Sequence, residues 1–306
     1  MGAKVILAGG RGFLGAALAA QLSAEGREVV VLTRTPAAGA ATREVAWDGR
    51  TPGPWVAELE GAEAVVNLAG RSVNCVHTPE NRRQILESRV NSVKALGDAV
   101  ARCNRPPAAW IQSGSLALYG DAGDRLCDET APEASDFSAG VCREWEAALA
   151  TAATPRTRQV LLRIGLVLGP GGGALGPLTG LVRWFLGGTV GSGRQYLSWL
   201  HVDDMSEIVR QAISRPDFSG AYNACAPQPV TNADFMRELR GALRRPWSPP
   251  APEWAVRLGA RYLFATDADL ALTGRRCVPA RLTAQGFRFR FPELKPALAD
   301  LVLRGL

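Results

Sequence analysis

Short apolar runs alternate with stretches of helical periodicity along the first half of the chain. The runs read as buried strands at residues 5–8, 28–32, 64–68, 109–112 and 159–164. Between them, apolar residues recur with helical spacing at 16–22, from about 79 to 101 and around 142–150. Because buried strands that alternate with helices build a parallel sheet with right-handed crossovers, the pattern predicts a doubly wound α/β fold of the Rossmann type.

The pattern changes after Gly165. A glycine-rich stretch at 169–176 precedes a predicted helix at 178–185, and a strand at 198–202 precedes a helix at 203–214 that begins behind an acidic cap. Residues 245–252 contain four prolines, which interrupt regular structure. The remainder, 253–306, is helical in character, except that a Phe/Arg alternation at 287–291 predicts a short edge strand.

These changes divide the chain into two predicted parts. Residues 1–165, with a contribution from 198–225, form a nucleotide-binding domain with the parallel sheet. Residues 166–197 and 226–306 form a smaller, discontinuous C-terminal substrate lobe that closes over the carboxyl edge of the sheet. A chain of 306 residues, of which 47% are hydrophobic, can bury a core of this size.

Composition and charge indicate that nucleic acid, membrane and metal are not partners of this protein. The net charge is +6, but the arginines occur as pairs such as Arg82-Arg83 and not as a basic run, so the sequence predicts no nucleic-acid partner. It contains neither a signal-peptide pattern nor an apolar run long enough for a membrane span, which predicts a cytoplasmic protein without a membrane partner. The six cysteines lack metal-type spacing, so we expect free thiols and no metal.

Glycines at positions 9, 12 and 15 follow the first strand and open the first helix. In this setting the first glycine permits the turn, the second lets backbone N–H groups approach a pyrophosphate, and the third lets helix and strand pack closely. The sequence therefore predicts a dinucleotide site, against the alternative of a purely structural turn.

The end of the second strand indicates which dinucleotide is bound. An Asp or Glu there would accept hydrogen bonds from a ribose 2′-hydroxyl, but this chain has Thr33-Arg34, which suits a 2′-phosphate. NADP(H) is therefore the predicted cofactor, with Arg11 as a second candidate cation. The alternative is that Arg34 is only a solvated loop residue.

Several segments together resemble the extended short-chain dehydrogenase/reductase superfamily, and within it an atypical branch of epimerase family proteins. The similar segments run nearly end to end and include 9–15 (GGRGFLG), 67–70 (NLAG), 113–120 (SGSLALYG), 166–175, 191–204 and 278–294. The last of these resembles the small C-terminal domain of that branch. The resemblance implies that 67–70 lines the nicotinamide-ribose side of the cofactor. The predicted cofactor-binding residues are Gly9, Arg11, Gly12, Phe13, Leu14, Gly15, Thr33, Arg34, Asn67, Leu68, Ala69, Gly70 and Ser113.

The resemblance also implies a catalytic serine, tyrosine and lysine, of which this chain matches only the serine, Ser115. In the superfamily the tyrosine lies four residues before the lysine, which lowers the tyrosine pKa and holds the ribose. None of the four tyrosines here is followed at that spacing by lysine, and the chain has only three lysines. When Glu146 is matched to the acid that commonly follows the lysine, the tyrosine and lysine positions fall on Ser138 and Cys142.

Substitute groups for the missing pair are few. Tyr119 is a candidate proton donor or a wall residue, and Cys142 is a thiol acid or nucleophile if its pKa is lowered, or else a packed side chain. His77 is a substrate-binding candidate or a surface residue. Arg194 and Trp199 are candidates for an anion partner and an apolar wall of the substrate site, or for ordinary packing.

Three functional hypotheses follow. The first is an NADPH-dependent oxidoreductase or epimerase-like enzyme that acts on an unidentified small-molecule substrate, with Ser115 polarising the substrate oxygen. The second is a dinucleotide-binding regulator or redox sensor that has lost catalysis, because the tyrosine and lysine pair is missing. The third is a component of an assembly. A homodimer is a further expectation.

Overall fold

The computed structural model describes residues 2–245, 247–262 and 265–305. The strands are β1 (Lys4–Ala8), β2 (Glu28–Thr33), β3 (Arg43–Ala46), β4 (Ala64–Asn67), β5 (Ala109–Ser115), β6 (Leu126–Cys127), β7 (Arg158–Ile164), β8 (Leu166–Leu168), β9 (Tyr196–Leu197), β10 (Trp199–His201), β11 (Gly220–Ala224), β12 (Val230–Thr231) and β13 (Arg276–Cys277). The helices are α1 (Phe13–Ala24), α2 (Pro79–Arg102), α3 (Phe137–Ala150), α4 (Leu175–Arg183), α5 (Val202–Ser214), α6 (Asn232–Ala242), α7 (Glu253–Tyr262), α8 (Asp269–Leu272), α9 (Ala280–Ala284) and α10 (Leu294–Leu303).

Seven strands form one sheet in the order β3-β2-β1-β4-β5-β7-β11, and every pairing is parallel. This confirms the predicted doubly wound Rossmann fold. The strand order reverses between β1 and β4, and in folds of this kind ligands bind outside the carboxyl ends of the strands at such a reversal.

Successive residues of each central strand face opposite sides of the sheet. Val5 and Leu7 pack with α1 and α5, whereas Ile6 and Ala8 pack with α2 and α3. Both faces are covered by helices, which explains why these strands are continuous apolar runs without polar alternation. No helix in the described part of the chain is long and apolar enough to cross a membrane.

A separate apolar cluster lies beyond the sheet. It joins Trp199 to α4, α6 and α10 through side chains such as Val182, Phe235 and Leu298. The two-strand pairs β8–β10 and β6–β13 link this region to the sheet-bearing part, and the pair β9–β12 lies within the region itself. The division of the chain at 165/166, 197/198 and 225/226 stays a prediction.

The structure corrects the prediction of an edge strand at 287–291. The backbone N–H groups of Arg290 and Phe291 instead donate to the two carboxylate oxygens of Asp204, at 2.7 and 3.0 Å. Phe287 and Phe289 pack edge to face against each other. These backbone donors are therefore committed to a side chain, which leaves no strand ladder here.

The predicted helices also need correction at their ends. The region from 253 onward, predicted to be helical, contains in its described residues the four short helices α7 to α10 together with β13. The helix predicted at 142–150 begins at Phe137, because Asp136 accepts from the N–H groups of Ser138 and Ala139. The cap of α5 is His201, whose side chain accepts from Asp203 N–H, and not Asp203.

Candidate functional site

A tight glycine turn joins β1 to α1 at the carboxyl edge of the sheet. Gly9 has a φ of +76°, which favours glycine, and a Cβ there would lie 2.9 Å from the Cα of Ala69. A Cβ on Gly15 would lie 2.4 Å from the Cα of Gly10, so another residue would push the helix away. At Gly12 the nearest atom to a Cβ is a backbone oxygen at 3.8 Å. The turn is therefore tight at Gly9 and Gly15 and open at Gly12.

The open side of this turn is the amino end of α1. Gly12 precedes the helix without a side chain to cap it, and the first helical turn contains no acidic residue. Uncapped N–H groups and the positive end of the helix dipole favour an anion at such a position. The room at Gly12 and the uncapped donors fit the pyrophosphate of a dinucleotide.

Arg11 and the end of β2 flank the turn. Arg11 Nη1 donates to the carbonyl oxygen of Thr35 at 2.6 Å, and its Nε lies 3.5 Å from a carboxylate oxygen of the buried Glu44. Thr33 is partly buried, while Arg34 is exposed and makes no ion pair within residues 2–245, 247–262 and 265–305. Of the two predicted cations, Arg34 is thus available, and Arg11 is partly engaged by Glu44.

Asn67 organises the loop after β4. Its buried amide donates to Ser92 Oγ at 3.1 Å and to Gln112 Oε1 at 2.9 Å, and its Oδ1 accepts from the N–H of Ala69 at 3.1 Å. Ser113 Oγ donates to the carbonyl oxygen of Asn67 at 2.8 Å. These bonds fix the backbone of the loop that the sequence predicts to hold the cofactor.

Phe13, Leu14 and Leu68 contribute apolar packing, since all three lie against the core on the α1 side of the sheet. A Cβ on Gly172 would come within 2.6 Å of Phe13 Cβ, and one on Gly169 within 2.8 Å of Phe13 Cζ. The glycine-rich segment after β8 therefore approaches the start of α1 as closely as it does because it lacks side chains.

Ser115 ends β5 at the carboxyl edge, where it pairs in register with Ile164 of β7. Its Oγ accepts from the N–H of Ala117 at 3.1 Å. Because that bond uses a lone pair of the hydroxyl oxygen, the hydroxyl hydrogen stays available for a substrate oxygen.

Tyr119 is fully buried in a polar network. Its hydroxyl donates to Asn223 Oδ1 at 2.9 Å and accepts from Arg163 Nη1 at 2.9 Å. Burial raises the pKa of Tyr119 to about 12, although the charge of Arg163 acts in the opposite direction. These contacts favour the wall interpretation over the proton-donor one.

Cys142 lies on α3, one turn after Ser138. Burial, with a smaller contribution from the charge of Glu146, raises the pKa of its thiol to about 12 against the opposing charges of Arg89 and Arg275. The hypothesis of a thiol acid or nucleophile required a lowered pKa. The structure does not meet that condition and favours a packed, protonated thiol.

The three predicted substrate-binding residues lie in different surroundings. His77 Nδ1 is 3.4 Å from Asp267 Oδ2, and its ring packs edge to face on Phe137. Arg194 is exposed. Trp199 is fully buried, and its indole N–H donates to the carbonyl oxygen of Gln228 at 3.0 Å, so its surroundings are those of a core residue.

The sequence interpretation gave no role to two charged groups near these positions, although Ser88-Arg89 is one of the segments that resemble the family. Arg163 forms a two-point ion pair with Glu146, with Nε–Oε1 and Nη2–Oε2 distances of 3.0 and 2.8 Å. Arg89 lies beside Gly70, Cys142 and the ring of Trp145. Arg89 is part of α2 and follows Ser88, but no periodicity distinguishes it from the exposed arginines of the same helix.

One cluster in the described residues has the composition of a metal site. Ligand atoms of His201, Asp203 and Asp300 lie within 4.8 Å of one another. Asp203 is already paired with Arg290 and Arg304, and Asp300 with Arg304, so the guanidinium groups offset both carboxylates. The arrangement is explained as an ion-pair network that holds the chain end to α5.

Comparisons with known proteins match both parts of the chain. The family model described as "NAD dependent epimerase/dehydratase family" matches residues 5–225, and a "Domain of unknown function" model matches residues 251–301. The match over 251–301 includes residues 278–294, the segment that resembles the small C-terminal domain of the family branch.

The similarity to individual relatives extends over nearly the whole chain. "Epimerase family protein SDR39U1" of Bos taurus is 36% identical, with 98% of this chain and 99% of that protein covered. A homologue from Arabidopsis thaliana described as chloroplastic is 32% identical, with 97% and 86% covered. The crystal structure of human epimerase family protein SDR39U1 with NADPH has a TM-score of 0.89 at 33% identity, with 99% of this chain and 100% of that one covered. The chain therefore belongs to the NAD dependent epimerase/dehydratase family.

Proposed function

We propose that the protein binds NADP(H) along the carboxyl edge of its sheet. The observation that carries the proposal is the uncapped amino end of α1 beside Gly12, where the turn leaves room for a pyrophosphate. Arg34 would bind the 2′-phosphate, and the loop at Leu68–Gly70 would face the nicotinamide half. The NADPH in the crystal structure of the human relative supports this choice of cofactor.

We further propose a reaction class: oxidation or reduction of a small molecule, or an epimerisation that proceeds by such a step. NADP(H) would supply the hydride chemistry when bound. Ser115 would donate its free hydroxyl hydrogen to the substrate oxygen, and the smaller C-terminal lobe would exclude water above it. The substrate itself is unidentified.

Titration of the purified protein with NADPH, followed by calorimetry or nucleotide fluorescence, tests cofactor binding. Saturable one-site binding is expected, and an absence of saturable binding would refute the proposal. Turnover is tested separately with NADPH and a broad panel of carbonyl compounds. Ser115→Ala should abolish turnover and leave NADPH affinity within about twofold, because a substrate contact adds little to cofactor binding.

A dinucleotide-binding regulator or redox sensor is the second candidate. It is favoured by the absence of a tyrosine–lysine pair and by the buried, high-pKa state of both Tyr119 and Cys142. NADPH binding without turnover of any panel compound would support it. Turnover that is lost in Ser115→Ala would exclude it.

The proposal also places the protein in the cytoplasm and expects it to form a homodimer. All six cysteines are free thiols, which suits a reducing compartment such as the cytoplasm. Imaging of the tagged protein in its own cell tests this, and a chloroplastic homologue shows that the family is not confined to one compartment. The expected homodimer is tested by size-exclusion chromatography with light scattering.

A further inference from the structure

Large apolar side chains lie exposed at the end of α4 and along α7. They belong to residues 184–186 (Trp-Phe-Leu), to Trp247, and to Trp254, Leu258 and Tyr262 of α7. We call these residues the aromatic surface. Their exposed fractions run from 47% for Phe185 to 81% for Trp184. Single exposed apolar side chains are ordinary, but a contiguous group of them marks a site of interaction.

Backbone contacts hold the two segments of the aromatic surface side by side. The N–H of Ala251 donates to the carbonyl oxygen of Thr189 at 2.8 Å, and the N–H of Gly191 donates to the carbonyl oxygen of Ala251 at 2.9 Å. The guanidinium of Arg245 lies over the ring of Phe185, with Cζ 5.1 Å from the ring centroid. Because α7 begins two residues after Ala251, the apolar side chains of both segments belong to one region of the surface.

The apolar face of α7 is turned outward. Trp254, Leu258 and Tyr262 recur at intervals of four residues, which places them in one stripe along the helix. All residues of α7 are described, and among them only Ala260 is buried. An amphipathic helix of a globular protein ordinarily packs its apolar stripe on the core. The stripe of α7 is therefore free to meet something outside the chain.

Phe185 is exposed at a position whose backbone favours glycine. Its φ is +59°, a left-handed conformation that is rare for a bulky residue. The N–H groups of Phe185 and Leu186 donate to the carbonyl oxygens of Val182 and Leu181 at 3.0 and 2.8 Å, the pattern of a helix end that usually carries glycine. Core packing does not account for the ring, because the ring is exposed. Its position points to a role outside the core.

The tryptophans divide between the core and the aromatic surface. Five of the eight are buried, at positions 47, 55, 110, 145 and 199. The exposed ones are Trp184, Trp247 and Trp254, and all three lie on the aromatic surface. Trp and Tyr are enriched where proteins meet the boundary between membrane and water, because their rings combine apolar area with a polar group.

Arginines border the aromatic surface. Segments 183–188 and 240–262 contain six arginines and one acidic residue, Glu253. Arg257 is paired with Glu253 and with Asp269. Among the described residues, no ion pair is formed by Arg244, Arg245 or Arg261. The excess of positive charge is complementary to an anionic surface.

We propose that the aromatic surface binds the face of an anionic lipid bilayer, with its rings among the headgroups and its arginines against the lipid phosphates. The charge favours a bilayer over a second copy of the chain, because two identical basic surfaces repel each other.

This inference changes the expectation drawn from the sequence. The sequence indicates no membrane partner because it has no apolar run long enough for a span. A helix that lies on a membrane needs only one apolar face, and α7 exposes such a face. Membrane binding of this kind does not depend on NADP(H) binding.

Sedimentation with vesicles tests the proposal. The purified protein is mixed with vesicles of phosphatidylcholine, or of phosphatidylcholine with about one third phosphatidylglycerol. Binding to the anionic vesicles should be at least about tenfold tighter and should weaken as salt is added. The exposed tryptophans should enter a less polar environment, so their emission should shift to shorter wavelength. Failure to bind the anionic vesicles would overturn the proposal.

Phe185→Gly separates binding from folding. The change relieves the left-handed backbone and removes an exposed ring, so the melting temperature should change little. Affinity for the anionic vesicles should fall by roughly threefold to tenfold, because one ring no longer enters the bilayer. Unchanged affinity in this variant would count against the proposal.

Two further pairs of variants test the apolar and the charged part of the surface. Leu258→Ser should weaken vesicle binding roughly threefold to tenfold, whereas Leu303→Ser, which alters an exposed leucine of α10, is the matched control. Arg244→Glu should weaken binding to the anionic vesicles by roughly 10-fold to 100-fold. Arg102→Glu, at the end of α2, should leave it unchanged. Equal effects within either pair would contradict a defined membrane surface.

The outcomes are independent of the proposed function. A protein that binds anionic vesicles but not NADPH would retain this inference and lose the proposed function, and the reverse result would do the opposite. Light scattering without vesicles tests the second copy as occupant. Self-association that Phe185→Gly and Leu258→Ser abolish, in a protein that does not bind vesicles, would assign the aromatic surface to a dimer and overturn the proposal.

Discussion

His77 and Asp267 join the loop after β4 to the C-terminal part of the chain, with Nδ1 and Oδ2 separated by 3.4 Å. The side chain of His77 is only 9% exposed, and that of Asp267 is 27% exposed. The contact therefore joins a residue of the predicted nucleotide-binding domain to a residue of the predicted lobe. His77 acts here as a link between two segments, in addition to any role it has toward a substrate.

Asp267→Asn should loosen this link without unfolding the protein. A partly exposed pair of this kind contributes at most about 1 kcal/mol to global stability, so the melting temperature should change little. Amide hydrogen exchange in residues 71–78 should become faster. Asp269→Asn, which alters a more exposed carboxylate paired with Arg257, is the control, and unchanged exchange in the first variant would show that the contact is not a link.

Gly12 and Gly15 should respond differently to substitution. Gly12→Val has room in the folded protein, so its melting temperature should stay close to that of the unmodified chain, but the side chain would occupy the pyrophosphate position and NADPH affinity should fall at least about tenfold. Gly15→Ala meets backbone atoms at 2.4 Å and should destabilise the fold by roughly 1–3 kcal/mol. Thermal melts and NADPH titrations check both, and normal NADPH affinity in Gly12→Val would move the site away from this turn.

Arg34→Asp should change the preference between cofactors. The exposed guanidinium is replaced by a carboxylate that repels a 2′-phosphate and accepts from a ribose hydroxyl, so the ratio of NADPH to NADH affinity should fall by roughly 100-fold. Arg102→Asp makes the same change of charge at the far end of α2 and is the control. A constant affinity ratio in the Arg34 variant would remove Arg34 from the site.

Glu146→Gln should destabilise the protein on the order of 3 kcal/mol, because it leaves the guanidinium of Arg163 without its counter-ion. Burial lowers the pKa of Arg163. The hydrogen bonds and charge of Glu146 raise it by more, so the pKa lies above its usual value. Urea denaturation measures the loss. Glu144→Gln, on the exposed side of α3, should change the unfolding free energy by less than about 0.5 kcal/mol. Equal effects of the two substitutions would contradict a stabilising ion pair.

Stability should fall in alkaline solution. Burial raises the pKa of Cys142 and of Cys277 from 9.0 to about 12, so between these values the unfolded chain loses protons that the folded chain keeps. This contribution is fully present below about pH 9 and is lost as the pH rises to about 12, at about 1.4 kcal/mol per pH unit for each thiol.

Denaturation curves in reducing buffer from about pH 8 to pH 11 measure this slope. Cys142→Ala should reduce the slope by about the 1.4 kcal/mol per pH unit that one buried thiol contributes. A slope that Cys142→Ala does not alter would mean that the Cys142 thiol ionises alike in both states.

Local patterns predicted the parts of the fold that depend on neighbouring residues. The five strand predictions of the first half correspond to β1, β2, β4, β5 and β7, because strands buried on both faces must be continuously apolar. The edge strand at 287–291 failed because Asp204, far away in sequence, captures its backbone donors. The acidic cap of α5 failed for a similar reason, since Asp203 is drawn to Arg290 and Arg304.

The sequence by itself determined the doubly wound sheet, the glycine turn and the absence of a tyrosine–lysine pair, because each depends on residue type and short spacing. Tertiary structure decided which of the many arginines matter. Arg83 and Arg89 lie on one helix, yet Arg83 meets two carboxylates in solvent and Arg89 meets Gly70, Trp145 and Cys142. Burial and counter-ions come from residues distant in the chain, so only the folded arrangement separates a solvated charge from one that is packed against the loop after β4.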